Sequence, residues 1–277
     1  MNNVVAIIVT FNPDIRRLEE NLNAIVGQVD AAVIVDNGSE NITDVQKLAI
    51  RFNSEIIVNE QNKGIATALN QGLQYASLHG FEYVLTLDQD SISSEKMVEE
   101  LKKRFSEDEN IAIIGPQIQE LNIDAEVSHQ SDELVYVNDL MTSGSLCEVA
   151  KLKSVGGFND KLFIDCVDIE MCWRLRVNGY LIAKNNKVVI KHEIGKINKK
   201  RFLYRDVHVS NHNAVRAYYM ARNKIYILRK YHKLTGVNVA RELYYLCLRC
   251  SKIILYESDK LKKIINTVKG IKDGLFL

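Results

Sequence analysis

Two groups of acidic residues have the types and spacing to do chemistry. Asp88-Gln89-Asp90 follows directly on an apolar run at residues 83–87. Residues i and i+2 of an extended chain project to the same side, so both carboxylates can face one crevice. Paired oxygen ligands suit Mg²⁺ or Mn²⁺, which take one or two carboxylates together with phosphate oxygens and water. The second group is Asp165, Asp168 and Glu170, set in an otherwise apolar stretch with Leu162, Phe163, Ile164 and Trp173. The spacing predicts a helix over residues 168–178, with Asp165 and Asp168 sharing a face and Glu170 one turn aside. Acids at a helix N-terminus complement its macrodipole. That accounts for one or two of the three.

The elements that must position these groups are legible as alternating periods. Residues 4–9, 31–35, 55–58 and 83–87 are short unbroken apolar runs, the pattern of parallel strands buried on both faces. Helical spacing intervenes, with Leu18, Leu22 and Ile25 on one face after Asp14, and Ala68, Leu69, Leu73 and Ala76 on another after Gly64. This alternation implies βαβ units and an α/β sheet. Each run ends in polar residues: Thr10-Phe11-Asn12, Asp36-Asn37-Gly38-Ser39, Asn59 followed by Asn62-Lys63-Gly64, and Asp88-Gln89-Asp90. The ligand crevice of an open parallel sheet lies beyond the carboxyl ends of its strands, so four strands deliver polar groups to one rim. Beyond Ser91 the pattern predicts a helix over 95–105, a strand at 111–114, and antiparallel strands or a loop within 120–139. A strand near 141–146, a helix and Gly-Gly turn over 149–158, a short strand at 188–190, and long helices from 211 onward complete it.

With 47% hydrophobic and 26% charged residues in 277, the composition excludes a disordered or collagen-like chain. The net charge of +1 conceals an asymmetry: residues 196–277 carry 19 Lys/Arg against 5 Asp/Glu, and residues 1–195 carry 17 against 30. An acidic body with a basic extension predicts that the extension meets something anionic. Five cysteines at irregular spacing do not form a disulfide framework, which points to a reducing compartment, the cytoplasm. Cys247 and Cys250 form a lone C-x-x-C in a helical pattern and are expected to be buried thiols. No leader pattern opens the chain, and no stretch approaches the roughly 18 apolar residues of a membrane span.

The ordered set of motifs resembles the family 2 glycosyltransferases. Val-Thr-Phe-Asn at 9–12, Val-Asp-Asn-Gly-Ser at 35–39, Asn-Lys-Gly at 62–64, Asp-Gln-Asp at 88–90, Ser-Gly-Ser at 143–145 and Gly-Gly-Phe at 156–158 carry it, over residues 4–225. The segment 163–174, FIDCVDIEMCWR, is similar to the rhamnosyltransferase branch. The resemblance implies a GT-A fold, Rossmann-like with a mostly parallel central sheet flanked by helices, over residues 1–210, and a basic helical extension over 211–277. It implies inverting, metal-dependent transfer of a sugar from a nucleotide diphosphate, with Mg²⁺ or Mn²⁺ as cofactor. L-Rhamnose from dTDP-L-rhamnose is the expected donor, and a glycan or lipid-linked glycan of bacterial-type polysaccharide assembly the acceptor. By the same resemblance Thr10, Asn12 and Asp36 would cradle the base, Asn62 and Gly64 line the nucleotide pocket, and Asp88 contact the ribose. Asp90 would hold the metal, with His192 completing the metal or diphosphate shell, and Arg222 of the Y-Y-x-x-R-N string would contact the diphosphate. Asp168 aligns with the catalytic carboxylate, although relatives carry Glu-Asp where this chain has Val167-Asp168. Asp165 and Glu170 are its nearby rivals, and with Ser143 and Gly144 they fall in the acceptor or sugar vicinity.

Other readings compete. Asp88-Gln89-Asp90-Ser91 superficially fits the loop of haloacid-dehalogenase-type phosphotransferases, but that loop follows a first strand and this one follows the fourth. A non-catalytic glycan-assembly subunit would not need intact acids at Asp36, Asp88, Asp90 and Asp168. His208 and His212, four apart, lack a carboxylate partner for a metal. No P-loop or dinucleotide-binding motif is present, and no nucleic-acid partner is expected. In the extension, Leu243, Leu246, Cys247, Cys250 and Ile254 share a helical face among basic residues. Such helices lie on anionic membrane surfaces, here the inner face of the plasma membrane. A homodimer element is the competing expectation.

Overall fold

The computed structural model describes residues 3–120, 134–192, 198–202, 205–209 and 211–277. The chain divides into two compact units, Met1–Phe163 with Val167–Glu193, and Ile164–Cys166 with Ile194–Leu277. The second unit therefore takes in residues 194–210, which the sequence reading places in the first part.

The first unit alternates β1 (Val4–Thr10), α1 (Ile15–Ile25), β2 (Ala31–Asp36), α2 (Ile42–Arg51), β3 (Glu55–Val58), α3 (Ile65–Leu78) and β4 (Tyr83–Asp88). There follow β5 (Ile92–Ser93), α4 (Met97–Lys103), β6 (Ile111–Glu120), β7 (Leu134–Tyr136), β8 (Ser145–Glu148), α5 (Val149–Ser154), α6 (Val167–Val177) and β9 (Leu181–His192). The strands order as β3-β2-β1-β4-β8-β6-β9-β5, with β7 paired to β9. Strands β1 to β4 are parallel. Strand β8 inserts antiparallel between β4 and β6, while β6 and β9 run parallel. The sheet is thus parallel through the first four strands and mixed beyond them.

The apolar runs become central strands because helices cover both faces of that sheet. Val4 to Ile8 of β1 and Val33 to Val35 of β2 have no exposed surface. Helix α1 starts at Asp14, whose carboxylate caps Arg17 N, and buries Leu18, Leu22 and Ile25. Strand β3 departs from the expectation of burial on both faces. It is an edge strand with Glu55 and Val58 exposed, since four apolar residues read alike at an edge and in a centre. Strand β9 is also longer than the 188–190 run, at 12 residues. Its polar Lys184 and Asn185 gave no apolar signal, but ladders with β6 and β7 hold them, and Lys187 falls in the bulge before pairing with β6 resumes at Val189. Of the polar stretch 120–139, residues 121–133 lie outside the described ones.

Gly64 opens α3 with φ +88°, where an added Cβ would lie 2.6 Å from the backbone oxygen of Phe163. That oxygen accepts a hydrogen bond from Ile65 N at 2.8 Å. The first turn of α3 is thereby pressed against the residue at which the first unit breaks off.

The second unit contains an antiparallel hairpin of β10 (Asn198–Phe202) and β11 (Arg205–Val209), then α7 (Ala214–Thr235), α8 (Val239–Tyr256) and α9 (Lys260–Gly274). The sequence reading assigns no strands there, because Asn-Lys-Lys-Arg-Phe carries no apolar alternation. Residues 164–166 belong to this unit through α7. Asn223, fully buried, donates through Nδ2 to the carbonyl oxygens of Ile164 (2.8 Å) and Asp165 (2.9 Å). Arg216 grips the Asp165 carboxylate with Nε (3.2 Å) and Nη2 (3.0 Å). Asp165 and Cys166 are both left-handed, with φ +66° and +62°. Such a conformation costs a non-glycine residue about 1–2 kcal/mol, so external bonds must hold the pair. Asp165 is accordingly not on the helix with Asp168, and its charge is matched by Arg216.

Two stability outcomes follow. Asn223→Ala strips a donor from two part-buried carbonyls, at up to about 1–3 kcal/mol for each unsatisfied group. Thermal unfolding should show Tm lower by several degrees, with a smaller loss for Arg216→Ala at its half-exposed pair. Gly64→Ala combines backbone strain with a steric clash, whereas Gly80→Ala (φ +73°) meets nothing within 4 Å. Both glycines require positive φ, so the excess destabilisation of Gly64→Ala measures the close approach to Phe163. Equal Tm losses for the two would show that the contact relaxes freely.

Candidate active site

At the rim of the sheet, a fully buried carboxylate organises the ends of the first two strands. Asp36, the last residue of β2, accepts from Thr10 Oγ1 at 2.8 Å, Gly38 N at 3.1 Å, and both N (2.9 Å) and Oγ (2.5 Å) of Ser39. Ser39 Oγ in turn accepts from Asn12 N at 2.8 Å, and Asn12 Oδ1 accepts from Glu40 N at 2.8 Å. Parallel pairing sets Thr10 directly beside Asp36. A buried carboxylate is tolerable only when hydrogen bonds replace its lost water, and four donors do so here. Thr10 and Asp36, expected to cradle a base, are buried and joined to each other. They shape the loop that exposes Asn12 and Phe11.

The neighbouring loop is built by amides. Asn37 Nδ2 donates to Gly64 O (3.1 Å), and Asn37 Oδ1 accepts from Asn59 Nδ2 (3.1 Å). Asn62 Oδ1 accepts from Gly64 N at 2.9 Å. Asn62 therefore folds the turn into α3, as Gly64 lets that turn approach Phe163.

The Asp88-Gln89-Asp90 turn is pinned from three sides. Ser143 Oγ, buried, accepts from Asp88 N at 3.0 Å and lies 2.7 Å from Ser91 Oγ. Asn21 Nδ2 donates to Asp88 O at 2.7 Å. Gln89 Oε1 accepts from Phe11 N at 2.9 Å, tying the turn to the end of β1. Ser143 and Gly144, placed by resemblance near the acceptor, lie behind the turn, with Gly144 N bonded to Thr86 O at 2.7 Å. Asp88 and Asp90 both keep partial exposure.

Asp168 opens α6 and borders a narrow, mainly apolar crevice with Leu140, Met141, Phe158, Met171 and Cys172. Burial raises its carboxyl from the ordinary 3.8 to about 6. A hydrogen bond from Ile169 N, at 2.8 Å, opposes the rise, and the charges of Asp88 and Asp139 add to it. A carboxylate that resists ionisation and faces two other acids is poised to take a proton near neutral pH.

The structure separates the remaining candidates. Glu170 is buried and ion-paired with Arg174 at 2.9 Å. Arg174 also donates to Val155 O (2.5 Å) and Gly157 O (2.6 Å). Glu170 is thus linked through Arg174 to the Gly-Gly turn. Arg222, within the second unit, bonds Asn223 Oδ1 at 2.9 Å and stacks 4.7 Å from the Tyr219 ring. His192 ends β9 opposite Glu120 of β6, and its side chain lies outside the described ones, as does that of His208. Burial, with Arg216 and Arg249 nearby, lowers the His212 pKa to about 4, an environment that repels a cation.

Three residues escape the sequence reading. Asp139 joins the acids facing Asp168 and accepts from Trp173 Nε1 at 3.3 Å. Its position in a polar stretch gave no signal. Gln89 reads as a spacer inside D-x-D, yet it bridges two strand ends. Phe11 leaves an aromatic ring 45% exposed at the rim, where nucleic-acid bases characteristically stack.

The donor set fits a hard divalent cation. All of its acids offer oxygen. Among the described residues no group of three or more His, Cys, Asp or Glu is arranged to hold a metal unaided. Asp90, with Asp88 beside it, would hold such a cation together with phosphate oxygens and water, as Mg²⁺ and Mn²⁺ prefer.

The model of the family described as Glycosyl transferase family 2 matches residues 5–155. The chain is 29% identical over 294 aligned residues to the dTDP-rhamnosyl transferase RfbF of Shigella flexneri, with 98% of this chain and 96% of that protein covered. Among solved structures it is similar to the mannosyltransferase PcManGT from Pyrobaculum calidifontis in complex with GDP-Man and Mn²⁺, with TM-score 0.62 and 15% identity over 99% of this chain and 85% of that one. It is similar also to S. aureus TarS 1-349, with TM-score 0.60 and 16% identity over 98% and 80%. These likenesses establish the GT-A fold. The polar rim of the parallel strands, the D-x-D turn after β4 and the match across β1 to α5 lead to one conclusion: the chain is a glycosyltransferase and belongs to glycosyl transferase family 2.

Proposed function

We propose that this glycosyltransferase moves L-rhamnose, with inversion, from dTDP-L-rhamnose to a glycan or lipid-linked glycan at the cytoplasmic side of a bacterial-type plasma membrane. The donor rests on the near full-length similarity to RfbF. The chemistry rests on one observation, a buried Asp168 at the apolar crevice whose pKa is raised to about 6 beside Asp88 of the D-x-D turn and Asp139.

Asp168 acts as the general base. Its carboxylate oxygen takes the proton of the acceptor hydroxyl as that oxygen bonds to the anomeric carbon. The bond from that carbon to the diphosphate oxygen breaks on the opposite face, and dTDP departs with the electron pair. Asp90, with Asp88, holds a divalent cation, which when bound stabilises negative charge on the departing diphosphate. Phe11 offers its ring to the base, while Thr10, Asp36 and Asn12 hold that loop in shape. Asn62, Gly64, Ser143 and Gly144 fix the turns around the pocket. Arg222 and His192 remain proposed contacts to the diphosphate. The phosphotransferase alternative has no support, since the D-x-D turn follows the fourth strand.

Asp168 ties activity to pH with a defined sign. Its folded-state pKa of about 6 exceeds the ordinary 3.8, so the folded chain retains a proton that the unfolded chain has released between these values. Stability therefore falls as pH rises through this window, while the basic form needed for turnover appears. The initial rate should climb to a plateau above pH 6. Asp168→Asn should lower turnover by about 10²- to 10⁴-fold, the range of general-base catalysis, and should unfold at a higher temperature than the parent at pH 8. Near-normal turnover in that variant would remove Asp168 from the mechanism.

Thermal shift with dTDP, UDP and GDP, each with and without Mn²⁺, tests the donor. At a hundredfold excess over Kd a ligand stabilises by about 2.7 kcal/mol, which a chain of this size shows as several degrees. The largest shift is expected with dTDP and Mn²⁺ together. A larger shift with UDP or GDP would overturn the donor assignment, and metal-independent shifts would overturn the role given to Asp90.

A further inference from the structure

The two last helices carry their amphipathicity inside out. Only Ile253 of α8 is buried. At 100° per residue Leu243, Tyr244, Cys247, Leu248, Ile254 and Leu255 fall on one side of α8, and each is exposed. No charged residue interrupts that side, and Arg241 and Lys252 border it. Helix α9 and the residues after it repeat the pattern, with Leu261, Ile265, Val268 and Phe276 exposed at 57–80% beside exposed Lys262, Lys269 and Lys272. Cys247, expected to be buried, is part of this surface.

Three of the four acids of the same segment turn inward, and Asp259 is exposed. Glu242 pairs with Lys224 of α7 at 2.9 Å, Glu257 with buried Lys263 at 2.8 Å, and Asp273 accepts from Tyr218 Oη at 2.8 Å. The outward sides of both helices therefore offer apolar side chains rimmed by cations. Apolar patches of this kind mark interaction sites, and the rim selects the partner. A second copy across a two-fold axis would set each lysine rim against itself. An anionic bilayer satisfies both features, admitting the apolar side chains at its interface while attracting the lysines.

We propose that the outward faces of α8 and α9 dock the protein on an anionic lipid surface. The inference extends the reading of the acceptor as lipid-linked, but vesicle binding needs no turnover, so either can fail alone. The full chain should float with phosphatidylcholine vesicles containing phosphatidylglycerol and remain at the bottom with phosphatidylcholine alone. Lys262→Glu/Lys269→Glu should weaken partitioning more than 10-fold, since each surface lysine is worth about fivefold, and added salt should act in the same direction. Leu248→Glu/Leu255→Glu should abolish flotation. Both pairs are exposed, so far-UV circular dichroism should remain that of the parent. Absence of flotation with anionic vesicles, or equal flotation with neutral ones, would overturn the proposal. So would a dimer in sedimentation velocity that Leu248→Glu dissolves, which would assign the face to a second copy.

Discussion

A carboxylate removed from water must find its solvation within the protein, and how completely it does so separates the two central acids of this chain. Asp36 has four donors, all supplied within three residues of itself or across the β1–β2 ladder. Its charge serves architecture, drawing the loop after β2 back onto the end of β1. Asp168 accepts only from backbone N–H groups at its own end of α6, those of Ile169 and of Asp168 itself, and has two negative neighbours. Its proton affinity rises because burial outweighs those bonds and the neighbouring charges of Asp88 and Asp139 add to it. The same side chain is a keystone in one setting and a base in the other, and the difference lies in the count of N–H and O–H groups around it. The partly exposed D-x-D turn is connected to both, since Gln89 reaches the loop shaped by Asp36 and Asp88 contributes to the field around Asp168.

This explains which parts of the architecture can be read before folding. The four parallel strands and the helices between them follow from apolar periodicity, because burial at the centre of a covered sheet leaves no alternative pattern. The rim followed from where those runs stop. Strand β9 and the β10–β11 hairpin left no such trace, since ladder hydrogen bonds stabilise polar residues that periodicity ignores. The exposure of β3 was hidden for the opposite reason, its residues being apolar at an edge.

Among site residues, type was legible and partnership was not. Asp165, Asp168 and Glu170 are equivalent as letters. Only the fold gives Asp165 to Arg216 and Glu170 to Arg174, leaving Asp168 facing acids rather than bases. Similarly, Ser143 and Gly144 mark a conformation of the D-x-D turn more than a contact to ligand. The left-handed pair Asp165-Cys166 has no sequence signature at all, since neither residue is glycine. It becomes intelligible once Asn223 is seen to bond the successive carbonyls of Ile164 and Asp165.

The charge asymmetry of the sequence acquires its meaning from the same accounting of partners. Residues 196–277 contain few acids, and three of those in the last helices are engaged by Lys224, Lys263 and Tyr218. Engagement inward turns these three acids away from the outward lysines. A helix whose acids face its own unit is left to show apolar side chains and cations to the outside. The inverted faces of α8 and α9 and the basic character of the extension are therefore one structural choice: spending the acids on internal cohesion sets both the hydrophobicity and the sign of the surface that remains.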